Sequence, residues 1–159
     1  VCIVDWDVHH GNGTQHAFED DPTVFYASLH QFPFYPGTGA ADERGRHDGE
    51  GFTLNCPQPA GSGDAEWLAT MEQTVLPALE DFDPDFVLIS AGFDGHALDP
   101  LGGCALSDDA YRVMSEMLLD LAGRRCQQRV VSVLEGGYHL AALASSCEAH
   151  LRALVGCAG

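Results

Sequence analysis

The sequence predicts an α/β protein, a parallel β-sheet flanked by helices and joined by right-handed crossovers. Three observations carry this expectation. Apolar or β-prone runs alternate with helical stretches along the chain, the pattern of strands separated by crossover helices. The run Phe86 to Ser90 (FVLIS) is short and apolar, as a strand buried on both faces requires. Polar and glycine-rich clusters follow Val4, Ser90 and Leu134, and in such sheets ligands bind beyond the carboxyl ends of the strands. With 159 residues, 45% of them hydrophobic, the chain suits one domain, or part of one, better than two.

Val1 to Trp6 reads as the first strand, and the glycine-punctuated segment Gly11 to Gly13 leads into a short helix from Thr14 to Glu19, with Thr14 available as its cap. Thr23 to His30 is the second strand. Gln31 to Gly63 is rich in Gly, Pro, Asp and aromatic residues, which predicts a long, ordered, functional loop interrupted by the strand-like Phe52 to Asn55. Asp64 is placed to cap a helix reaching to about Asp81 that Pro77 should kink or break. After the FVLIS strand, Ser107 caps a helix through about Ala122 with Tyr111, Met114, Leu118 and Leu121 on one face. Arg129 to Leu134 reads as a further buried strand and His139 to Val155 as the closing helix.

The net charge of −17, with seven Arg and no Lys, repels nucleic acid, so no direct nucleic-acid binding is expected. It suits cationic substrates such as basic protein tails or polyamines, although a solvated acidic surface accounts for most of it. Val1 opens directly into a strand-like run with no basic region or cleavage site, and no apolar stretch reaches membrane-spanning length. The expectation is a soluble cytoplasmic protein with no membrane partner, compatible with a homo-oligomer. Cys2, Cys56, Cys104, Cys126, Cys147 and Cys157 form no C-x-x-C pair, so they read as small buried hydrophobes.

Chemistry concentrates at the three strand ends. In Asp5-Trp6-Asp7-Val8-His9 the side chains of an extended chain alternate, so Asp5, Asp7 and His9 project to one side. Asp94, in the second cluster, completes with Asp7 and His9 the three ligands a catalytic zinc uses when it leaves a position open. In Glu135-Gly136-Gly137-Tyr138 the paired glycines allow a tight turn that brings a phenol over the pocket, where it could donate a hydrogen bond to a carbonyl oxygen gaining charge. His10 points opposite to His9 and is expected to pack or hydrogen-bond beneath the site. For His16, His30, His47 and His150 the structural or surface reading is preferred.

The runs DWDVHHGNGTQHAF (Asp5 to Phe18), YPGTG (Tyr35 to Gly39), SAGFDGHALDPLGG (Ser90 to Gly103) and LEGGY (Leu134 to Tyr138) resemble the class II histone deacetylases and their bacterial relatives. Acetylpolyamine amidohydrolases and acetoin-utilisation proteins share the arginase-like α/β fold that the resemblance implies. It implies hydrolysis of an acetylated amine, in a protein or a polyamine, with one zinc held by Asp7, His9 and Asp94 and the carbonyl polarised by Tyr138. It further implies that Asp5 and Asn12 orient a catalytic histidine pair, Asn12 being the class II residue type. Tyr35 and Leu101, with Gly136 and Gly137 nearby, would line the acyl channel. Asp5 and Ser28, with main-chain carbonyls around Asp7 and His9, would hold a structural K⁺ or Na⁺, and Phe18, Val24 and Phe52 resemble positions around a second cation site.

In that family the general base belongs to a tandem His pair well upstream of the first motif. By resemblance, residues 1–159 are therefore the carboxyl-terminal part of a single catalytic domain. That part alone is expected to be poorly active and to expose an apolar sheet edge. Neither His96 nor His139 is assigned the base role. Two rivals remain: a two-metal ureohydrolase, against which Gly11 and His96 stand where further carboxylates would be wanted, and an inactive acetyl-lysine-binding module.

Overall fold

A computed structural model describes residues 1–156. Its elements are β1 (Cys2–Asp5), α1 (Asn12–Phe18), β2 (Phe25–Gln31), a 3₁₀ turn (His47–Gly49), β3 (Thr53–Gln58), α2 (Asp64–Thr70), a π turn (Met71–Val75), α3 (Leu76–Phe82), β4 (Val87–Ala91), α4 (Asp108–Arg125), β5 (Val130–Leu134) and α5 (Leu140–Gly156). The strands form one sheet in the order β3-β2-β1-β4-β5, and every pairing is parallel. The order reverses between β1 and β4, so the carboxyl ends of these two strands open the crevice in which such folds bind ligands.

The two faces of the sheet differ in chemistry. On one, Cys2, Val4, Trp6, Phe25, Ala27, Leu29 and Ile89 pack against Trp67, Met71, Val75 and Leu79 of the α2–α3 helix and against Met114, Leu118 and Leu121 of α4. On the other, register aligns Ser90, Asp5, Ser28 and Asn55 in one row across four strands, and this row faces α1, whose Gln15 accepts a hydrogen bond from Asn55 at 2.7 Å. The four α4 residues assigned to one face are all fully buried. No helix among the described residues is long and apolar enough to cross a membrane.

Several boundaries differ from the sequence expectation. α1 starts two residues before Thr14, which lies inside the helix, and Gly11 occupies the cap position without a side-chain bond. Gly63 precedes α2 in an extended conformation, its N–H donating to the Glu66 carboxylate. Asp64 is the first helical residue, and its carboxylate accepts from the Ser107 amide and hydroxyl at 2.8 and 2.6 Å. Ser107 caps α4 as expected, accepting from the Ala110 amide. The helix through Pro77 is not broken. The missing proline amide, which would have bonded the carbonyl of Gln73, falls where the chain widens into the π turn before α3.

β5, read as a buried strand, differs in burial: among the described residues it pairs with β4 alone and its side chains are exposed or half-buried, the exposed apolar edge that the family resemblance implies for part of a domain. Ser132 faces α5, where it meets His150 Nε2 at 2.8 Å, so the alternating Val131 and Val133 point to the opposite face and are exposed. Among the described cysteines, Cys2, Cys56, Cys104 and Cys126 are buried and Cys147 is half-buried, all with free thiols, while Cys157 lies outside the described residues.

The packing ranks two substitutions. Leu118→Ala, at a site with no exposure, is expected to destabilise by about 2–5 kcal/mol. Ser107→Ala is expected to remove a helix cap worth about 1 kcal/mol. Urea unfolding followed by circular dichroism checks both the size and the order.

Candidate metal centre

The segment after β1 is shaped by its own carboxylates. Asp5 Oδ1 accepts the Asp7 amide at 3.1 Å and Asp7 Oδ1 accepts the His9 amide at 2.8 Å. Each aspartate thus turns the backbone two residues on, which is why the Asp-x-Asp-x-His spacing delivers three polar side chains to one side. From the end of β4, Asp94 Oδ1 reaches across to accept the Val8 amide at 2.8 Å. From the end of β5, the Gly136 amide donates to Asp7 Oδ2 at 2.8 Å, while the Gly136 carbonyl accepts from the Phe93 amide at 2.7 Å. The three strand ends are therefore locked to one another by main-chain bonds that terminate on Asp7 and Asp94.

These bonds aim the free ligand atoms at a common point. His9 Nδ1 lies 3.1 Å from Asp7 Oδ1 and 3.0 Å from Asp94 Oδ2. Among the described residues, Asp7, His9 and Asp94 are the group whose donor atoms lie within 4.8 Å of one another in the manner of a metal site. The approach needs two glycines without side chains. A Cβ at Gly136 would collide with the carboxylates of Asp94 and Asp7, and one at Gly92 would collide with Asp7.

The electrostatics follow from crowding acids around an imidazole. Hydrogen bonds to Asp7 and then Asp94 push the His9 imidazole from 6.5 up to about 10. Burial acts to raise Asp7, but bonds from the His9 ring and from the His9 and Gly136 amides hold it below the usual carboxylate range. Burial raises Asp94, which has no exposed surface. Asp5, buried beneath the site, is pushed up to about 7, chiefly by burial. Two carboxylates in contact with one imidazole make a pocket that favours positive charge.

Above this group lies a cavity of about 320 Å³ lined by Asp5, Asp7, His9, Tyr35, Leu101 and Tyr138, with Ser90 and Glu135 in its wall. Tyr35 is largely exposed at its mouth, and Leu101 and Tyr138 are about half exposed. Gly136 and Gly137 form the turn that carries Tyr138, and Gly137 has φ +152°. Ser28 is fully buried beside Asp5 on the neighbouring strand, its hydroxyl 2.9 Å from His30 Nδ1. Asn12 opens α1 with an exposed side chain and no side-chain hydrogen bond among the described residues, away from the cavity lining. Phe18, Val24 and Phe52 lie outside the lining as well, and the carbonyls of Phe18 and Phe52 accept the amides of Asp21 and Tyr26.

The remaining histidines occupy the structural roles expected of them. His10 bonds Thr38 and Gln15, and burial lowers its pKa; burial lowers His30 to about 4 and His150 likewise to about 4. His96 turns its Nδ1 to the Leu98 amide at 3.1 Å, and its Nε2 lies 3.5 Å from Asp108. It is not aimed at a second ion beside Asp94.

Three contributors were not singled out from sequence. Tyr26 donates its hydroxyl to Asp5 Oδ2 at 3.0 Å, and its placement on the same strand face as Ser28 and His30 was the signal available. Phe34 stacks on the His9 ring at 5.2 Å between centroids. Asp99, beside Pro100 in the DPLGG run, accepts three backbone amides near the cavity.

The histone deacetylase domain model matches residues 1–154 of this chain. The chain belongs to the histone deacetylase family. It is similar to histone deacetylase 15 of Arabidopsis thaliana, 48% identical over 160 residues that cover 98% of this chain and 28% of the relative. Histone deacetylase 10, chloroplastic, of Oryza sativa subsp. japonica is 45% identical over 156 residues, 98% of this chain and 35% of that protein. A probable deacetylase of Archaeoglobus fulgidus is 44% identical over 138 residues, 87% of this chain and 38% of the relative. The crystal structure of the HDA15 HD domain superposes with a TM-score of 0.92 at 47% identity over 98% of this chain and 44% of that one. The chain thus spans less than half the length of each of these relatives, and the arginase-like α/β fold is the family's.

Two outcomes follow for the metal-free protein and for the site. The His9 attraction is fully present below the unfolded value of 6.5 and is lost as pH rises through about 10. Urea midpoints of chelator-treated protein are expected to decline across that interval, and His9→Asn to flatten the decline. Gly136→Ala is expected to abolish stoichiometric divalent-metal uptake in equilibrium dialysis. Gly13→Ala, whose added Cβ meets nothing within 4 Å, should retain it.

Proposed function

We propose that this chain forms the metal-holding and phenol-bearing part of a zinc-dependent deacetylase. The enzyme hydrolyses an acetylated amine, either acetyl-lysine in a protein or an acetylpolyamine, to acetate and the free amine. The observation that carries this reading is the convergence of Asp7, His9 and the fully buried Asp94 at a cavity lined by Asp7, His9 and Tyr138.

The residues fit zinc on their own chemistry. Two carboxylates and one imidazole are a ligand set of a catalytic zinc that keeps a position open, and the Val8, His9 and Gly136 amides orient their oxygens from behind. Zinc bound there supplies Lewis acidity to the amide carbonyl and to the attacking water.

The chain's own groups do the rest. Tyr138 donates its hydroxyl to the carbonyl oxygen as negative charge develops on it, a bond that strengthens in the transition state. Its phenol pKa is raised, first by burial and then by Asp94, Asp7 and Asp99, which keeps the donor proton in place. Tyr35 and Leu101 bound the passage, with Gly136 and Gly137 nearby in the turn that carries Tyr138. Asp5 and Ser28, paired in register and buried beneath the ligands, suit a structural K⁺ or Na⁺ together with the carbonyls of Asp7 and His9. The general base is assigned to the part of the domain that the relatives contain beyond this chain, because both ring nitrogens of His10 and of His30 are already engaged in hydrogen bonds below the site.

Zinc content and turnover of an acetyl-lysine peptide by the full-length protein test the reading. Asp94→Ala is expected to lose both. Tyr138→Phe should keep zinc while kcat falls by about 10²–10³. Zinc with no turnover in the unsubstituted protein would identify an acetyl-lysine-binding module instead, and urea release from a guanidino substrate would identify a ureohydrolase.

A further inference from the structure

We propose that Asp99 is a positioning residue of this site, whose carboxylate fixes the phenol-bearing turn and the Leu101 wall to one another. The inference rests on the proposed deacetylase reading and concerns how that site holds its geometry.

Asp99 sits in the loop between β4 and α4 and is 8% exposed. Its Oδ2 accepts the Tyr138 amide at 2.7 Å and the His139 amide at 3.1 Å, and its Oδ1 accepts the Leu101 amide at 2.9 Å. No cation pairs with it among the described residues. The charge of this buried carboxylate is balanced instead by main-chain donors, two of them immediately ahead of α5, where the helix dipole favours an anion.

The arrangement matters because the turn is pinned at both ends. Gly136 is tied to Asp7 by its amide, and Tyr138 is tied to Asp99 by its own. Between them Gly137 holds φ +152°, a conformation that lends the turn freedom. With the Asp7 end set by a metal ligand, the Asp99 end decides where the phenol stands relative to that ligand. The same carboxylate accepts the Leu101 amide two residues on and so shapes the turn that presents Leu101 to the cavity, and one residue thereby bears on the phenol and on the passage wall together. Asp99 touches neither substrate nor metal and acts only through Tyr138 and Leu101.

The test is a double-mutant cycle in the full-length protein, measuring kcat and KM for an acetyl-lysine peptide together with zinc content. Asp99→Ala is expected to retain zinc and to lower kcat by about 10- to 100-fold, the scale of a misplaced catalytic group. In a Tyr138→Phe background the same substitution should lower kcat by less than about twofold, because its effect passes through the phenol. Asp99→Asn, whose carbonyl can still accept both amides ahead of α5 while its NH₂ opposes the Leu101 amide, should keep kcat within about threefold and raise KM.

An equal loss of kcat from Asp99→Ala in both backgrounds, or no loss in either, overturns the role of Asp99 while leaving the deacetylase reading intact. Should Asp99→Ala fail to fold, Asp99→Asn decides: a raised KM with kcat retained supports the role, and a kcat loss equal in both backgrounds overturns it. A Tyr138→Phe variant as active as the parent would overturn the assigned role of the phenol itself, and with it the reason for holding that phenol in place.

Discussion

The convergence of two carboxylates on one imidazole is the constraint around which the molecule is arranged. Such a group cannot be built on one segment, because its members must approach from different directions and each must keep its remaining oxygen satisfied. Adjacent parallel strands solve the first problem by ending side by side, so β1 and β4 deliver Asp7, His9 and Asp94 to the same crevice. Main-chain amides solve the second: Val8, His9 and Gly136 each donate to one of the two aspartates. Gly92 and Gly136 are required because a side chain at either would occupy the space of the acids themselves.

The polar face of the sheet extends this logic away from the cavity. His10 joins Thr38 to Gln15, Gln15 donates to Glu43, and Glu43 accepts the amides of Gly39 and Ala40. Burial on this face is tolerated because nearly every group finds a partner, Asn55 Oδ1 being an exception. The segment from Gln31 to Gly63 is ordered through these bonds. Its reading as a functional loop narrows accordingly: Tyr35 reaches the cavity and Phe34 stacks on His9, while the stretch around Gly39 serves to hold the sheet face together.

The strand ends and their polar clusters were legible because alternation and spacing are local properties. Asp5, Asp7 and His9 lie on one side of an extended segment whatever surrounds it, and a short apolar run such as FVLIS announces its own burial. Val131 and Val133 carry the composition of an interior strand, so an exposed apolar edge was implied by the resemblance to a longer domain and not by the run itself. Asp64 resembles a helix cap in sequence, yet it serves another helix's cap residue, Ser107, far along the chain. Asp99 was passed over for a similar reason. Two of its three partners, the amides of Tyr138 and His139, are distant in sequence, and no periodicity records them.

Asp7 and Asp94 carry a double duty. Asp94 accepts an amide from the segment that follows β1, and Asp7 accepts one from the turn that follows β5, so the residues that would grip an ion also fasten one strand end to the next. A single substitution at either position therefore unfastens the crevice and empties it together.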